Sequence, residues 1–196
     1  MTRQGSILRT PAPRASTGLL TGAGRERSVP LRGRITRQVA SCCIARLLVL
    51  ATEDPQRPIV IYIDSPGGSV SDSLSILSTM NGIRSPIATF CRRQAGGTAA
   101  IIAAHGRRGF RLAAPGAHFS FEAISAAAAF KPAPDGEEPY LHLLVEMLAK
   151  AAQRTEAEAL RWLSGGVRFS PQEAVQCGLI DGVSTEPLLP SGRISA

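Results

Sequence analysis

Apolar positions between Ile59 and Ala104 alternate between strand-like and helix-like spacing, twice in succession. The run Ile59-Val60-Ile61-Tyr62-Ile63-Asp64 is β-branched and aromatic, which predicts a buried strand. It stops at Ser65-Pro66-Gly67-Gly68-Ser69. Proline ends the ladder there, and the paired glycines permit close approaches that a Cβ would block. A helix is expected next, capped by Ser69 or Ser71, with Leu74, Leu77 and Met80 along one stripe. Past the turn at Arg84-Ser85-Pro86, Ile87 to Cys91 predicts a second strand. The segment from Arg93 to Ala100 then opens a small-residue helix through Ile101-Ile102-Ala103-Ala104. Such tandem units make a βαβα core, whose glycine-rich helix starts meet at the carboxyl ends of parallel strands.

The flanks read less sharply. Val29 to Ile35 predicts a short strand, and Arg37 to Leu50 a helix with Val39, Cys43, Leu47 and Leu50 on one face, widened by Ile44 and Leu48. After the core, brief strands are expected at Phe110-Arg111-Leu112 and from Ala117 to Ile124, followed by a mobile loop from Ser125 to Pro134. The helix predicted from Pro139 to Thr155 carries two apolar faces, one through Leu141, Leu144, Val145, Leu148 and Ala152, the other through Leu143, Met147 and Ala151. The second face needs either another subunit or full burial in one core. A helix from Thr155 to Leu163 carries Trp162, read as a packing residue. Ser170-Pro171-Gln172-Glu173 is a capping-box helix start, Gly178 ends that helix, and Leu179-Ile180-Asp181 returns as a small strand.

With 196 residues the chain is long enough for one domain with a proper core. The net charge of +7 changes the picture only once it is located. Residues 1–37 hold eight arginines against the single acid Glu26, and the remainder balances to zero. Residues 1–27 are therefore expected to form a disordered basic arm, 28–185 the folded domain and 186–196 a frayed tail. The arm reads as a plain flexible tail or an organellar transit peptide, so the expected location is cytoplasmic, with plastid or mitochondrial matrix as the alternative. A balanced domain argues against nucleic acid as a partner, and the lack of a long apolar run argues against a membrane. Cys42, Cys43, Cys91 and Cys177 lack metal-ligand spacing and are read as reduced thiols; no metal or cofactor is expected.

Ile61-Tyr62-Ile63-Asp64-Ser65-Pro66-Gly67-Gly68, then Gln94-Ala95 opening an alanine-rich helix, then Glu173-Ala174 with Gly178-Leu179-Ile180-Asp181, resembles the Clp protease proteolytic subunit family. The resemblance runs in order from about residue 28 to 183. It implies an α/β, crotonase-like fold of repeated ββα units with a protruding strand-helix handle. It further implies subunits stacked as two heptameric rings around a proteolytic chamber, fed by an AAA+ unfoldase, and a Ser–His–Asp triad.

The triad positions hold other residues. Carried over by spacing, the serine position is Gly97, the histidine position Glu122 and the aspartate position Gly166. Glycine has no oxygen to attack a carbonyl, and a carboxylate lacks the second nitrogen that a third group would orient. Losing such a unit costs about a million-fold in turnover. The backbone cradle for a reacting carbonyl, at Gly67, Gly68 and Thr98, is expected to remain.

Substitute groups do not converge in the sequence. Ser65 reads as a structural hydrogen bond and Ser69 as a helix cap. Thr98 points about 100° around the helix from the nucleophile position. His105 reads as packing or a surface hydrogen bond, and His142 as solvent-facing. His118 lies roughly 13 Å from Glu122 along a strand. Arg92 and Arg93 read as a solvated pair or an anion seat. For unfoldase docking, the resemblance points to Tyr62 and Leu112, with Gly82 replacing a bulky residue. The expectation is a non-catalytic, structural or regulatory subunit of a Clp-type ring, formed with itself or with active paralogues. The alternatives are a crotonase-like binding module outside a ring, and an active serine-type peptidase with a rearranged site.

Overall fold

The computed structural model describes residues 27–121 and 138–189. In chain order the elements are β1 (Ser28–Arg32), α1 (Arg37–Glu53), β2 (Ile59–Ser65), α2 (Val70–Gly82), β3 (Ile87–Gly96) and α3 (Thr98–Ala104). They continue as β4 (Arg111–Ala113), β5 (His118–Ser120), α4 (Glu138–Ala152), α5 (Glu156–Ser164), β6 (Arg168–Phe169), α6 (Pro171–Gln176) and β7 (Gly182–Val183). The sheet runs β1-β2-β3-β4-β7, all neighbours parallel; β5 joins the far half of β3, and β6 pairs β5 antiparallel.

Strand alternation divides the apolar residues between two sides of the sheet. Ile59, Ile61 and Ile63 face the helices, with Leu47 and Leu50 of α1 and Ile76 and Leu77 of α2 in the same core. Every residue of α3 is buried, and its alanines let the surrounding elements close in on it. The opposite side carries a smaller cluster of Val60, Ala88, Phe90 and Leu112, with Tyr62, Leu188 and Leu189 against it.

Several boundaries differ from the sequence reading, each for a local reason. β3 does not stop at Cys91 but continues to Gly96, and the helix begins at Thr98 rather than near Arg93. The register between β2 and β3 slips there: Ile63 pairs with Cys91, but Ser65 pairs with Ala95. The surplus residues on β3 include Arg92 and Arg93, which are pushed outward and break the apolar pattern that marks a strand. β1 ends at Arg32, and Ile35 returns only as a single bridge to Gly68. The final small strand is Gly182–Val183 rather than Leu179 to Asp181, because Asp181 turns aside to bind Arg111.

Both domain edges hold structure that composition concealed. Arg27, expected in the arm, is 5% exposed and donates to the carbonyls of Leu50, Asp54 and Pro58. It caps the carboxyl end of α1, where a cation meets the negative pole of the helix. Pro187, Leu188 and Leu189, expected in the frayed tail, pack on the sheet instead. The expected arm 1–26, positions 122–124 of the strand expected from Ala117, the loop 125–134 and the tail from 190 lie outside the described residues.

Helix starts follow the sequence closely. Ser69 caps α2 by accepting from the Asp72 N–H, and Thr155 and Ser170 each close a full capping box with Glu158 and Glu173. α4 buries Leu144, Val145, Leu148 and Ala152, while Leu143 on its second face is 41% exposed.

Candidate functional site

The turn after β2 and the turn after β3 lie against each other, backbone to backbone. A Cβ on Gly67 would sit 2.5 Å from the Gly96 carbonyl oxygen, and one on Gly96 would sit 2.5 Å from the Pro66 carbonyl oxygen. Gly68 is held equally tightly on its other side: Ile35 N–H donates to the Gly67 carbonyl (2.8 Å) and Ser69 N–H to the Ile35 carbonyl (2.9 Å). These distances exclude side chains, so the glycines are a requirement of the approach between the two turns.

The second turn reverses sharply at Gly97, which has φ 47° and ψ −119° between β3 and α3. This is the strained strand-to-helix elbow that presents a nucleophile in hydrolases. Its N–H donates to the Ser120 carbonyl of β5 at 2.7 Å, which fixes the corner from outside. The nearest neighbour of a Cβ at Gly97 is the Pro66 oxygen at 4.0 Å. The geometry therefore has room for a side chain that the sequence does not supply.

Two amides belong to these turns, those of Gly68 and Thr98. Among the described residues, neither the Gly68 nor the Thr98 N–H donates a hydrogen bond. Thr98 N lies 3.2 Å from where a Gly67 Cβ would be, so the bare α-carbon of Gly67 is what keeps that donor open. The N–H of Gly67 itself is not available, since it donates to Ser65 Oγ at 3.1 Å. Gly67 thus leaves space beside the Thr98 amide, and its own N–H is spent on the turn. Preorganised N–H donors of this kind hold a carbonyl oxygen as negative charge develops on it.

The hydroxyls of the two turns are engaged elsewhere. Ser65 Oγ is buried and spent on the turn, and Ser69 Oγ caps α2. The Thr98 hydroxyl turns toward α2, where Ser73 Oγ lies 2.8 Å away. Of the histidines, His105 is occupied. His105 Nε2 pairs with Asn81 Oδ1 at 2.7 Å; burial, and then Lys150, hold its pKa below the ordinary imidazole value. His118 pairs in register with Gln94 on β5, and His142 is exposed on α4.

Gly166 stands at φ 63° in the turn between α5 and β6, exposed and with nothing near the position of its Cβ. β6 pairs with β5 through Phe119–Phe169 and Ser120–Arg168, so the Gly97 and Gly166 turns are tied to the two sides of β5. An aromatic group secures that end: Phe121 stacks on Trp162 at 6.2 Å, and Phe169 meets Trp162 edge-on at 5.4 Å. Trp162 is a packing residue, as its sequence suggested. Glu122, at the histidine position, lies outside the described residues.

A family model for Clp protease matches residues 16–187. The chain belongs to the Clp protease family. Its parallel sheet with flanking helices fits the crotonase-like architecture expected of Clp proteases.

Clp proteases form oligomeric rings, and the docking residues inferred by resemblance divide between two environments. Tyr62 lines an open cleft of about 730 Å³ with Pro30, Phe90, Arg32, Arg92 and Pro187. Leu112, 5% exposed, packs with Leu188 and Leu189 beside that cleft. A Cβ on Gly82 would meet nothing within 4 Å, so that position offers no apolar wall. Arg93, largely exposed, donates its Nε to Asp64 Oδ2 at 2.9 Å. Arg92 instead lies over the Tyr62 ring, 5.9 Å from its centroid.

Sequence reasoning missed two structural supports. Gly96 is as tightly placed as Gly67, and the signal was the Gly-Gly pair itself. Arg111 is 2% exposed and binds Asp181, with further bonds to the carbonyls of Ala104 (3.1 Å) and Ala151 (2.8 Å). A pairing across 70 positions leaves no local signal.

Among the described residues, no group of three or more His, Cys, Asp or Glu side chains is placed to hold a metal, and no helix is long and apolar enough to cross a membrane.

Proposed function

We propose that this Clp protease family member is a catalytically silent subunit of a Clp-type ring. It joins itself or active paralogues in heptamers and contributes assembly, chamber lining and a docking surface for an AAA+ unfoldase. The observation that carries the reading is Gly97: the elbow, its strained dihedrals and its two amide donors are kept, and the attacking oxygen is absent. The hydroxyls of Ser65, Ser69 and Thr98 are each engaged elsewhere, so none of these three makes good the loss.

Chemistry then limits what the site does. Two N–H donors bind a peptide carbonyl in its ground state but supply neither a nucleophile nor a base. A peptide is held and not cut. Docking is weaker than in a wholly apolar cleft, because Arg32 and Arg92 share the cleft with Tyr62.

The test is native mass spectrometry of the tagged chain drawn from its own cells. A particle of several hundred kilodaltons, containing this chain alone or with active paralogues, supports the reading. A monomer that recruits no Clp-type subunit contradicts it.

A further inference from the structure

At the end of α3 away from the Gly97 turn, the carboxyl ends of α2, α3 and α4 border a cavity of about 310 Å³. Its wall takes Asn81 from α2, Ala104 and His105 from the end of α3, and Glu146, Met147 and Lys150 from α4. It shares no lining residue with the Tyr62 cleft. A volume of this size suits a small organic ligand.

Helix carboxyl ends carry negative partial charge, so a junction of three ordinarily draws a cation. Here the chain supplies its own. Arg111 Nη1 donates to the carbonyls of Ala104 (3.1 Å) and Ala151 (2.8 Å), and Arg108 Nη2 donates to Ala151 at 3.0 Å. Both arginines also line the cavity. Arg111 is matched by the carboxylate of Asp181. Arg108 is bound to a carbonyl, and that hydrogen bond does not cancel its charge. Lys150 brings a further cation, and Glu146, one helical turn earlier on the same face of α4, is the one carboxylate among the lining residues.

His105 reports where the Lys150 charge lies. Its Nε2 pairs with Asn81 Oδ1 at 2.7 Å, and burial, then Lys150, hold its pKa below the ordinary imidazole value. The ring is therefore neutral at neutral pH and close enough to Lys150 to feel its charge. With Arg111 and Asp181 cancelling, the cavity is left with two cations, Arg108 and Lys150, and one anion, Glu146, about one helical turn along α4. Met147 adds apolar wall beside them.

We propose that this cavity binds a small zwitterion of the amino-acid type. Arg108 and Lys150 hold its carboxylate, Glu146 holds its ammonium, and a short aliphatic side chain lies against Met147. An amine without a carboxylate meets two like charges there, and an acid without an ammonium leaves Glu146 unmatched, so the cavity selects against both. The inference rests neither on ring assembly nor on loss of catalysis.

The probe is free L-leucine, titrated into the full chain at neutral pH and followed at the imidazole Cε1–H NMR signals, with His105 assigned through His105→Gln. A saturable shift of the His105 signal is expected, without one at His118. Isocaproate, which lacks the ammonium, is expected to bind about tenfold more weakly, and isoamylamine, which lacks the carboxylate, not to bind. Lys150→Met is expected to weaken leucine binding about tenfold or more. Glu146→Gln is expected to weaken leucine to the level of isocaproate. Both side chains are exposed, so both variants are expected to keep the thermal midpoint of the unaltered chain. No saturable His105 shift at tens of millimolar leucine overturns the proposal. So does equal affinity for leucine and either analogue, or unchanged leucine affinity in either variant.

Discussion

Gly67 and Gly96 meet without side chains: a Cβ on the first would lie 2.5 Å from the carbonyl oxygen of the second. That contact joins the ends of β2 and β3 and sets the distance between the two amide donors. Alanine at Gly67 adds this overlap to a φ of 92°, a region costly for any side chain. The expected loss is about 2–5 kcal/mol from strain and overpacking together, read from denaturant midpoints. Gly82→Ala is the control. A Cβ there meets nothing, and in a helix alanine is favoured over glycine by roughly 0.5–1 kcal/mol, so the variant is expected to be as stable or more so.

Gly97→Ser places a hydroxyl on the turn between β3 and α3, at a position with room for it. The strained elbow charges about 1–3 kcal/mol for any side chain, so the variant is expected to fold with reduced stability. Activity is not expected to follow. Residue 122 is Glu and residue 166 is Gly, so nothing takes the serine proton or orients a base. Peptide turnover by Gly97→Ser above the unaltered chain's background contradicts this.

Acid is expected to act on the fold in two separate ranges. Burial, and then Lys150, lower the His105 pKa below its unfolded value of about 6.5. The unfolded state therefore takes up the proton first, and stability falls as pH drops below that value. His105→Gln is expected to flatten this first decline in stability-against-pH curves.

Asp181 acts lower. Burial pushes its pKa up, but hydrogen bonds from Arg111 and Gly109, with the charge of Arg111, leave it below the usual carboxylate value. Its contribution is thus fully present above the unfolded pKa of about 3.9 and is lost as pH falls through the lower folded value. Asp181→Asn leaves the buried Arg111 charge unpaired, and the expected cost is about 3 kcal/mol at neutral pH. A loss below about 0.5 kcal/mol, typical of a surface pair, contradicts that role.

The core from Ile59 to Ala104 was readable in the sequence because its elements obey local rules. Ile59 to Asp64 alternates across a sheet, Ser69 caps, and the Pro-Gly-Gly turn has few conformations open to it. What failed was non-local. Arg92 and Arg93 look like the end of a strand because the outward-pushing register slip depends on β2. Arg27 looks like part of a basic arm until the end of α1 supplies the carbonyls it binds. Leu188 and Leu189 look like a tail until Leu112 lies beneath them. At the site, the absence of a nucleophile at Gly97 was legible by counting, whereas the open state of the Thr98 amide depended on the missing Cβ of Gly67, a fact of three dimensions.

The most direct measurement is incubation of the purified chain with fluorogenic peptides, with and without a serine-directed fluorophosphonate, followed by intact-mass analysis. The account predicts no turnover above background and no added mass. Turnover that the fluorophosphonate abolishes, together with one covalent adduct per chain, would mean that a reactive serine exists and that the silent-subunit reading is wrong.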